Sequence, residues 1–152
     1  MLKRGSTRLE VLTRLATMGE MLAGPGSVVS ILYVDQDGLL RNAASPNLPT
    51  DYLKAIDRLK PNPNLGTCAA AAATGSVVVT EDFGADNKWA ELRHLPQSLG
   101  FTGAWSMPIK GAEGKVLGTF GTYYREKRCP TEAERKGVEL LAKAAAQALE
   151  RA

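Results

Sequence analysis

Residues that bind metals or haem are scarce in this sequence. It contains one histidine, His94, and two cysteines, Cys68 and Cys129, which lie too far apart in the chain to fit a zinc-binding spacing. We therefore expect no metal site, and we expect His94 to lie on the surface. The two cysteines are predicted to be free thiols, as is usual in a reducing compartment. No Ser-His-Asp arrangement, phosphate-binding loop or carboxylate pair indicates a catalytic centre.

Long hydrophobic runs and a strong charge bias are missing too. No apolar run is long enough to span a bilayer. The first five residues include two basic side chains but no apolar stretch behind them, so they do not resemble a signal peptide. We therefore expect a cytoplasmic chain that does not bind membranes. The net charge is only +3 and the two signs are interspersed, so nucleic-acid binding is not expected either.

The sequence does contain enough apolar material for one core. Its length of 152 residues suits one domain, and 44% of the residues are hydrophobic. A helix is predicted over residues 6–23, because an apolar stripe ends there at a Gly-Pro-Gly turn. A last helix is predicted over residues 131–151, because Thr131 and Glu134 form a capping box. Residues 1–152 are therefore interpreted as a single domain with a long helix near each end.

Between these helices, strand and turn signals alternate. Asp37-Gly38 is a tight turn between two apolar runs, which is typical of a β-hairpin. Thr50 is predicted to cap a short helix, and Pro96 is predicted to disrupt another. The predicted elements are strands over residues 27–35, 39–45, 76–80, 101–109 and 115–124, and short helices over 50–59, 69–73 and around Trp89.

The order of these elements predicts the fold class. Tight turns between neighbouring strands indicate antiparallel pairing. The two long helices must bury their apolar stripes on one face of the sheet, which leaves the other face for the short helices. We therefore predict an α+β fold with an antiparallel sheet of five or six strands.

Four places in the sequence resemble a known family. They are Ser30-Ile-Leu-Tyr-Val-Asp-Gln-Asp-Gly-Leu-Leu-Arg41, Pro46-Asn-Leu-Pro-Thr-Asp-Tyr52, Gly66-Thr-Cys68, and the run from Trp105-Ser-Met-Pro-Ile109 through Gly118-Thr-Phe-Gly-Thr-Tyr-Tyr-Arg125. In this order they resemble the GAF domain of bacterial sensor histidine kinases, diguanylate cyclases and phosphodiesterases. The resemblance implies a GAF-like sheet with terminal helices on one face and short helices over a pocket on the other.

The resemblance also implies a function. GAF domains of this kind are non-catalytic sensory modules, which bind a small molecule or respond to redox state. They relay the signal through terminal helices to an effector domain, such as the kinase of a two-component system or a cyclic-di-GMP enzyme. Two alternatives remain open: a ligand-free dimerisation module, and a GAF-fold thiol reductase, which would need more cysteines near the pocket than Cys68 alone. No cofactor follows from the sequence.

The resemblance implies a ligand between the sheet and the short helices. Free N–H groups at a helix start favour an anion, and an indole ring offers an apolar wall with one donor. The sequence departs from the usual family pattern at Ala69, Lys88 and Ala104, so no shared family ligand follows. The candidate ligand-binding residues are Thr67, Cys68, Asp82, Trp89, Trp105 and Ser106.

Each candidate also has a purely structural interpretation. The tryptophans could belong to the ordinary core, and Asp82 could cap the following turn. Thr67 could be a helix N-cap. Cys68 could have a lowered pKa and sense oxidants, or it could be a small buried hydrophobic residue.

The terminal helices carry more apolar positions than one sheet face needs. We expect one stripe of the first helix to cover its own sheet, and a flanking set to remain for a second copy of the chain. A weak parallel homodimer through the first and last helices is therefore predicted. The covering stripe is Leu9, Leu12, Ala16 and Gly19, the flanking set is Leu15, Met18 and Leu22, and the last helix contributes Val138, Leu141, Ala145 and Leu149.

Overall fold

The protein is described here by a computed structural model over residues 7–150. Its five strands form one antiparallel sheet in the order β2-β1-β5-β4-β3, which confirms the predicted fold class. The elements are α1 (Arg8–Ala23), β1 (Val28–Val34), β2 (Leu40–Ala44), α2 (Thr50–Ala55), α3 (Cys68–Thr74), β3 (Val78–Thr80), a 3-10 turn (Asn87–Trp89), α4 (His94–Ser98), β4 (Gly103–Lys110), β5 (Val116–Tyr124) and α5 (Glu132–Glu150).

Strand β5 lies at the centre of the sheet, between β1 and β4. Seven successive residues of β5 are buried, from Gly118 to Tyr124, because both faces of the sheet are covered. Gly118 has no room for a side chain, since a Cβ there would lie 2.0 Å from the carbonyl oxygen of Leu32. Neighbouring residues of β5 point to opposite faces, so Phe120 packs under the terminal helices while Tyr123 packs under the short ones.

Helices α1 and α5 cover one face of the sheet and enclose the larger core. Each begins with the full capping box, Thr7 with Glu10 and Thr131 with Glu134, which satisfies backbone N–H groups at the helix start. The predicted first residue of α1 and last residue of α5 fall at positions 6 and 151, which lie outside the described residues. Within residues 7–150, no helix is both long and apolar enough to cross a membrane.

The short helices on the other face differ from the prediction in two places. Thr50 is the first residue of α2 and not its cap; Pro49 holds the cap position, and α2 ends at Ala55. Pro96 does not disrupt a helix but lies in the first turn of α4, where a missing N–H group leaves no helical hydrogen bond unmade. Trp89 precedes α4 and belongs to the 3-10 turn.

The stripe predicted for α1 is only partly correct. Leu12, Ala16 and Gly19 are buried against the sheet, but Leu9 is 60% exposed. Leu15, which the sequence assigned to a second copy of the chain, is buried within this one. Met18 and Leu22 do remain exposed, as predicted. The buried face of α1 therefore extends further toward α5 than the predicted stripe, because it includes Leu15.

Two helix glycines provide a matched test of how tightly this layer is packed. A Cβ on Gly19 would lie 2.8 Å from the ring of Phe120, which is fully buried, whereas a Cβ on Gly137 would meet the half-exposed end of Leu22. We expect Gly19→Ala to lower the free energy of unfolding by about 1–3 kcal/mol through overpacking. Gly137→Ala should be neutral or stabilising by up to about 1 kcal/mol, because alanine favours helix and Leu22 can move. Urea unfolding measures both; equal effects would contradict this packing.

Candidate functional site

A cavity lies between the sheet and the short helices, where the resemblance implied a pocket. The space open to the centre of a water molecule is only about 20 Å³, although the whole recess, counted out to its mouth, holds about 350 Å³ of space without atoms. The larger volume includes open solvent, so the smaller volume decides what fits without movement of the protein. A space of that size holds about one water molecule. The lining residues are Leu32, Tyr52, Ile56, Leu59, Leu65, Gly66, Thr67, Cys68, Ala69, Trp89, Leu92 and Tyr123.

The segment before α3 forms one wall of this cavity. Gly66 adopts φ +60°, and its N–H donates to the carbonyl oxygen of Lys88 at 2.8 Å, which joins this wall to the Trp89 segment. The positive φ favours glycine at this position, whereas a Cβ would lie at an ordinary contact distance of 3.7 Å from the Trp89 ring. Thr67 occupies the N-cap position of α3, but its side chain does not cap the helix.

Cys68 is a buried thiol at the floor of the cavity. Its Sγ lies 3.1 Å from the Oγ of Ser106, and a Cβ on Gly121 would approach that sulfur to 3.0 Å. Burial raises the pKa of Cys68, and this effect outweighs hydrogen bonds that favour the thiolate. The burial of Cys68 and its raised pKa argue against a low-pKa oxidant sensor and agree with the interpretation as a small buried residue.

Trp89 forms the opposite wall and is held by a polar chain. Its Nε1 donates to Thr80 Oγ1 at 3.2 Å, and Thr80 donates in turn to Asp86 at 2.6 Å. Partial burial opposes ionisation of Asp86, but hydrogen bonds from Thr80 and Lys88 outweigh it and lower the pKa of Asp86. The ring of Phe83 packs edge-on against Trp89 with centroids 4.4 Å apart. The indole is thus fixed from behind while one side lines the cavity.

Two tyrosines that the sequence analysis missed complete the cavity. The hydroxyl of Tyr52 on α2 donates to that of Tyr123 on β5 at 2.7 Å, and both rings are buried. Burial is the largest cause that raises the pKa of each, so both are neutral phenols at physiological pH. They lie 71 positions apart in the chain.

The structure brings together only part of the predicted site. Thr67, Cys68 and Trp89 line the cavity, and Ser106 lies beneath it as the partner of Cys68. Asp82 does not line it; its carboxylate accepts the N–H of Gly84 at 2.8 Å and caps the turn, as the structural interpretation predicted. The assignment of Trp105 to the pocket is wrong, because Trp105 lies on the opposite face, under the terminal helices.

Trp105 instead belongs to a buried polar cluster at the start of α5. Its Nε1 donates to the hydroxyl of Tyr124 at 2.9 Å, and that hydroxyl donates to Glu134 at 3.2 Å. Glu134 also forms an ion pair with Arg128, whose guanidinium stacks 4.1 Å above the Tyr124 ring. Arg128 additionally donates to the carbonyl oxygen of Ala23, so the cluster joins β4, β5, α5 and the end of α1.

Metal binding finds no support in the described part of the chain. No group of three or more His, Cys, Asp and Glu side chains there is arranged to hold a metal ion. His94 is exposed, as predicted. The second cysteine, Cys129, is exposed and free, and its Sγ lies 2.6 Å from the carboxylate of Glu81.

The sheet order, the two helical layers and the cavity define a class of α+β domain, and comparison with known proteins identifies the family. The GAF domain family model matches residues 8–150, and the chain belongs to this family. The chain is 34% identical over 131 residues to the methyl sulfide methyltransferase-associated sensor of Methanosarcina acetivorans. That match covers 86% of this chain and 13% of the sensor, so the chain spans about an eighth of its relative's length.

Solved structures share the fold. A domain of a two-component sensor histidine kinase from Sinorhizobium meliloti 1021 superimposes with a TM-score of 0.72 at 20% identity, covering 94% of this chain and 88% of that one. The GAF domain region of a Geobacter sulfurreducens PCA protein gives 0.76 at 19% identity, covering 95% and 94%. A type II free methionine-R-sulfoxide reductase from Thermoplasma acidophilum gives 0.70 at 15% identity, covering 95% and 96%. These identities show a shared fold alone.

The two thiols should differ sharply in reactivity. The pKa of both thiols is raised, that of Cys68 by burial and that of Cys129 by its hydrogen bond with Glu81, so the difference rests on access: Cys68 is buried, whereas Cys129 is exposed. We expect iodoacetamide at pH 8 to label Cys129 in the folded protein and to label Cys68 only after unfolding in urea. Peptide mass mapping over time measures both rates, with the unfolded chain as the control. Equal labelling of both cysteines in the folded protein would contradict the structure.

Proposed function

We propose that this domain is a non-catalytic sensory module that holds a small molecule in the cavity and passes the signal to its terminal helices. The observation that carries the proposal is the adjacency of Tyr123 and Tyr124 on β5. Tyr123 lines the cavity, and Tyr124 contacts Glu134 at the start of α5. A ligand that shifts Tyr123 must displace the same strand that anchors the helix.

The terminal helices suit such a relay. Arg8, at the beginning of α1, stacks on Tyr33 near the end of β1, and Glu150, at the end of α5, accepts the N–H of Ala112 in the β4–β5 turn. Tyr33 pairs with Gly118 near the start of β5, and the β4–β5 turn directly precedes that strand. The start of α1 and the end of α5 therefore lie at the same edge of the molecule. An effector domain joined there would receive a change in the packing of α1 against α5.

The class of effector is proposed from the relatives. The Methanosarcina relative is a methyl sulfide methyltransferase-associated sensor, and the Sinorhizobium domain is part of a two-component sensor histidine kinase. We propose that this domain likewise controls an effector such as a histidine kinase or a cyclic-di-GMP enzyme. The effector and not the GAF domain would carry out catalysis.

Thiol reductase activity is a weaker candidate, although a reductase shares the fold. A reductase needs a reactive thiolate, whereas Cys68 is buried with a raised pKa and Cys129 is paired with Glu81 at the surface. The alternative of a ligand-free dimerisation module agrees with the small size of the cavity. It differs from the sensory proposal in one measurable respect, which is the presence of a bound molecule.

The two tryptophans provide the test, because they lie on opposite faces of the sheet. We expect native mass spectrometry of freshly purified protein to find a bound small molecule, which unfolding, dialysis and refolding remove. In Trp105→Phe, which keeps only Trp89, the emission spectrum should change on removal. The matched control, Trp89→Phe, should show no change, since Trp105 is remote from the cavity.

Two outcomes would contradict the sensory proposal. One is freshly purified protein without any bound mass, which would favour the dimerisation module. The other is a spectral change confined to Trp105, which would place the bound molecule under the terminal helices. Circular dichroism confirms that each variant is folded.

We also propose that the domain forms a homodimer through α1 and α5. Met18 and Met21 on α1 are 52% and 78% exposed, and Leu140 on α5 is 68% exposed. Leu22 lies one turn after Met18 on α1 and packs against Gly137 of α5. Leu140 follows one turn after Gly137 on α5. These side chains therefore form an exposed apolar ridge along the seam between the two helices, which a second copy of the chain would cover symmetrically.

Charge substitutions on the ridge test the dimer without disturbing the core. Leu15→Glu is unsuitable because Leu15 is buried within the subunit. We expect the wild type to form a weak dimer in sedimentation equilibrium and Met18→Glu to be monomeric, because the substitution puts a charge on the apolar ridge that the second copy would cover. Leu9→Glu is the matched control: it is equally exposed but faces the groove beside Tyr33, so it should leave the dimer intact. A monomeric wild type at high micromolar concentration would overturn the proposal.

A further inference from the structure

The chemistry of the cavity lining restricts what it can hold, and this inference rests on the proposed sensory function. Among the described residues that line the cavity, none carries a charge. A charged ligand would lose its hydration there without gaining a counter-ion, which is strongly unfavourable. The start of α3 offers little compensation, because this helix has only seven residues. The expectation of an anion at Thr67 and Cys68 therefore gives way to that of a neutral ligand.

The tyrosine pair leaves one hydrogen-bond donor unused. Two phenol groups have two hydrogens between them, and the contact between Tyr52 and Tyr123 uses one. In the described part of the chain, the Tyr123 hydroxyl has no hydrogen-bond partner other than Tyr52. A buried O–H group without an acceptor is costly, so the pair favours a molecule that supplies one. Both phenols remain protonated at physiological pH because burial raises their pKa values.

A second buried polar group lies on the same face of the sheet. Thr119 pairs across the sheet with Leu32, which lines the cavity, and its side chain is fully buried. The Thr119 hydroxyl lies beside Cys68, but it makes no hydrogen bond of ordinary geometry within residues 7–150. Thr119 does not line the cavity itself; its unpartnered neutral hydroxyl lies beneath the lining, beside Cys68.

The remaining surface of the cavity is apolar and small. Leucine, isoleucine and alanine side chains and the Trp89 ring form most of its wall. The space of about 20 Å³ open to the centre of a water molecule is far below the range for small-molecule sites, about 300–1,000 Å³, so the cavity must widen to take a ligand. A ligand of more than one or two atoms must displace side chains, and the single backbone hydrogen bond from Gly66 to Lys88 is the contact that holds the two walls together.

We propose that the cavity takes a compact, uncharged molecule with an apolar body and one hydrogen-bond acceptor, and that the acceptor binds the Tyr52–Tyr123 hydroxyl pair. Small aromatic or aliphatic ketones, esters and ethers belong to this class. Carboxylates, phosphates and nucleotides do not.

Three probes of similar size and different chemistry test this proposal on the wild-type chain. Acetophenone has a ring and a carbonyl acceptor, ethylbenzene has the ring without an acceptor, and benzoate has a charge. We expect acetophenone to bind about fivefold or more tightly than ethylbenzene, the effect of one neutral hydrogen bond. Benzoate should bind most weakly. Calorimetric titration gives the dissociation constants, and emission of the Trp105→Phe protein reports whether the probe is beside Trp89.

A variant of the hydroxyl pair tests the assignment of the acceptor. In Tyr52→Phe/Tyr123→Phe both hydroxyls are removed together, a change that leaves no buried group unpaired. We expect acetophenone and ethylbenzene to bind this variant equally. Tyr33→Phe is the matched control, because Tyr33 packs on the opposite face, and it should keep the wild-type preference.

Four results would overturn the proposal. Benzoate binding more tightly than acetophenone would refute the neutral class while leaving the sensory function intact. Equal binding of acetophenone and ethylbenzene by the wild type would refute the role of the acceptor, and this comparison needs no variant to fold. Retention of the preference in the double variant would refute the assignment to the tyrosines. Failure of all three probes at millimolar concentration would refute the ligand class, whereas the sensory function fails only if freshly purified protein carries no bound molecule.

Discussion

Burial of strand β5 on both faces is the constraint on which the rest of this structure depends. Every residue from Gly118 to Tyr124 must fit one of two cores, and the strand has no solvent-facing side to absorb a displacement. The tight approach of β1 at Gly118 and of Cys68 at Gly121 leaves β5 no room to slide. Tyr123 and Tyr124 are consequently neighbours on one strand but lie in different cores. This arrangement makes the strand a physical connection between the cavity and the terminal helices.

The second half of that connection is the buried carboxylate of Glu134. A carboxylate inside a protein is unfavourable unless it is paired and hydrogen-bonded. Glu134 has an ion pair with Arg128, accepts hydrogen bonds from Tyr124 and the Thr131 N–H, and completes the capping box of α5. The start of α5 is therefore fixed to β5 by the hydrogen bond from Tyr124 to Glu134 and by Arg128, which pairs with Glu134 and stacks on the Tyr124 ring. Since Arg128 also binds the last carbonyl of α1, both terminal helices share one anchor.

Local sequence signals predicted most of the fold, and the misses have physical reasons. Turn residues and capping boxes act over three or four positions, so the hairpins and both terminal helices followed from the sequence. Trp105 and Ser106 could not both face the pocket, because neighbours in a strand point to opposite faces, and that period of two would have excluded one of them. The contact between Tyr52 and Tyr123 depends on the path of the whole chain, which no local pattern encodes. The burial of Leu15 likewise depends on how closely α5 lies beside α1.

The proposed relay requires that the cavity and the start of α5 be energetically coupled through β5. A double-mutant cycle measures this coupling directly, using Tyr52→Phe in the cavity, Glu134→Gln in the cluster, and the two together in urea unfolding. Neither residue contacts the other, and the free-energy changes of such distant pairs usually add within about 0.3–0.5 kcal/mol. If the relay operates, the coupling energy in the cycle should lie clearly above that range, at about 1 kcal/mol. Additive changes within about 0.3 kcal/mol would show that the two faces of the sheet are independent and would contradict the claim.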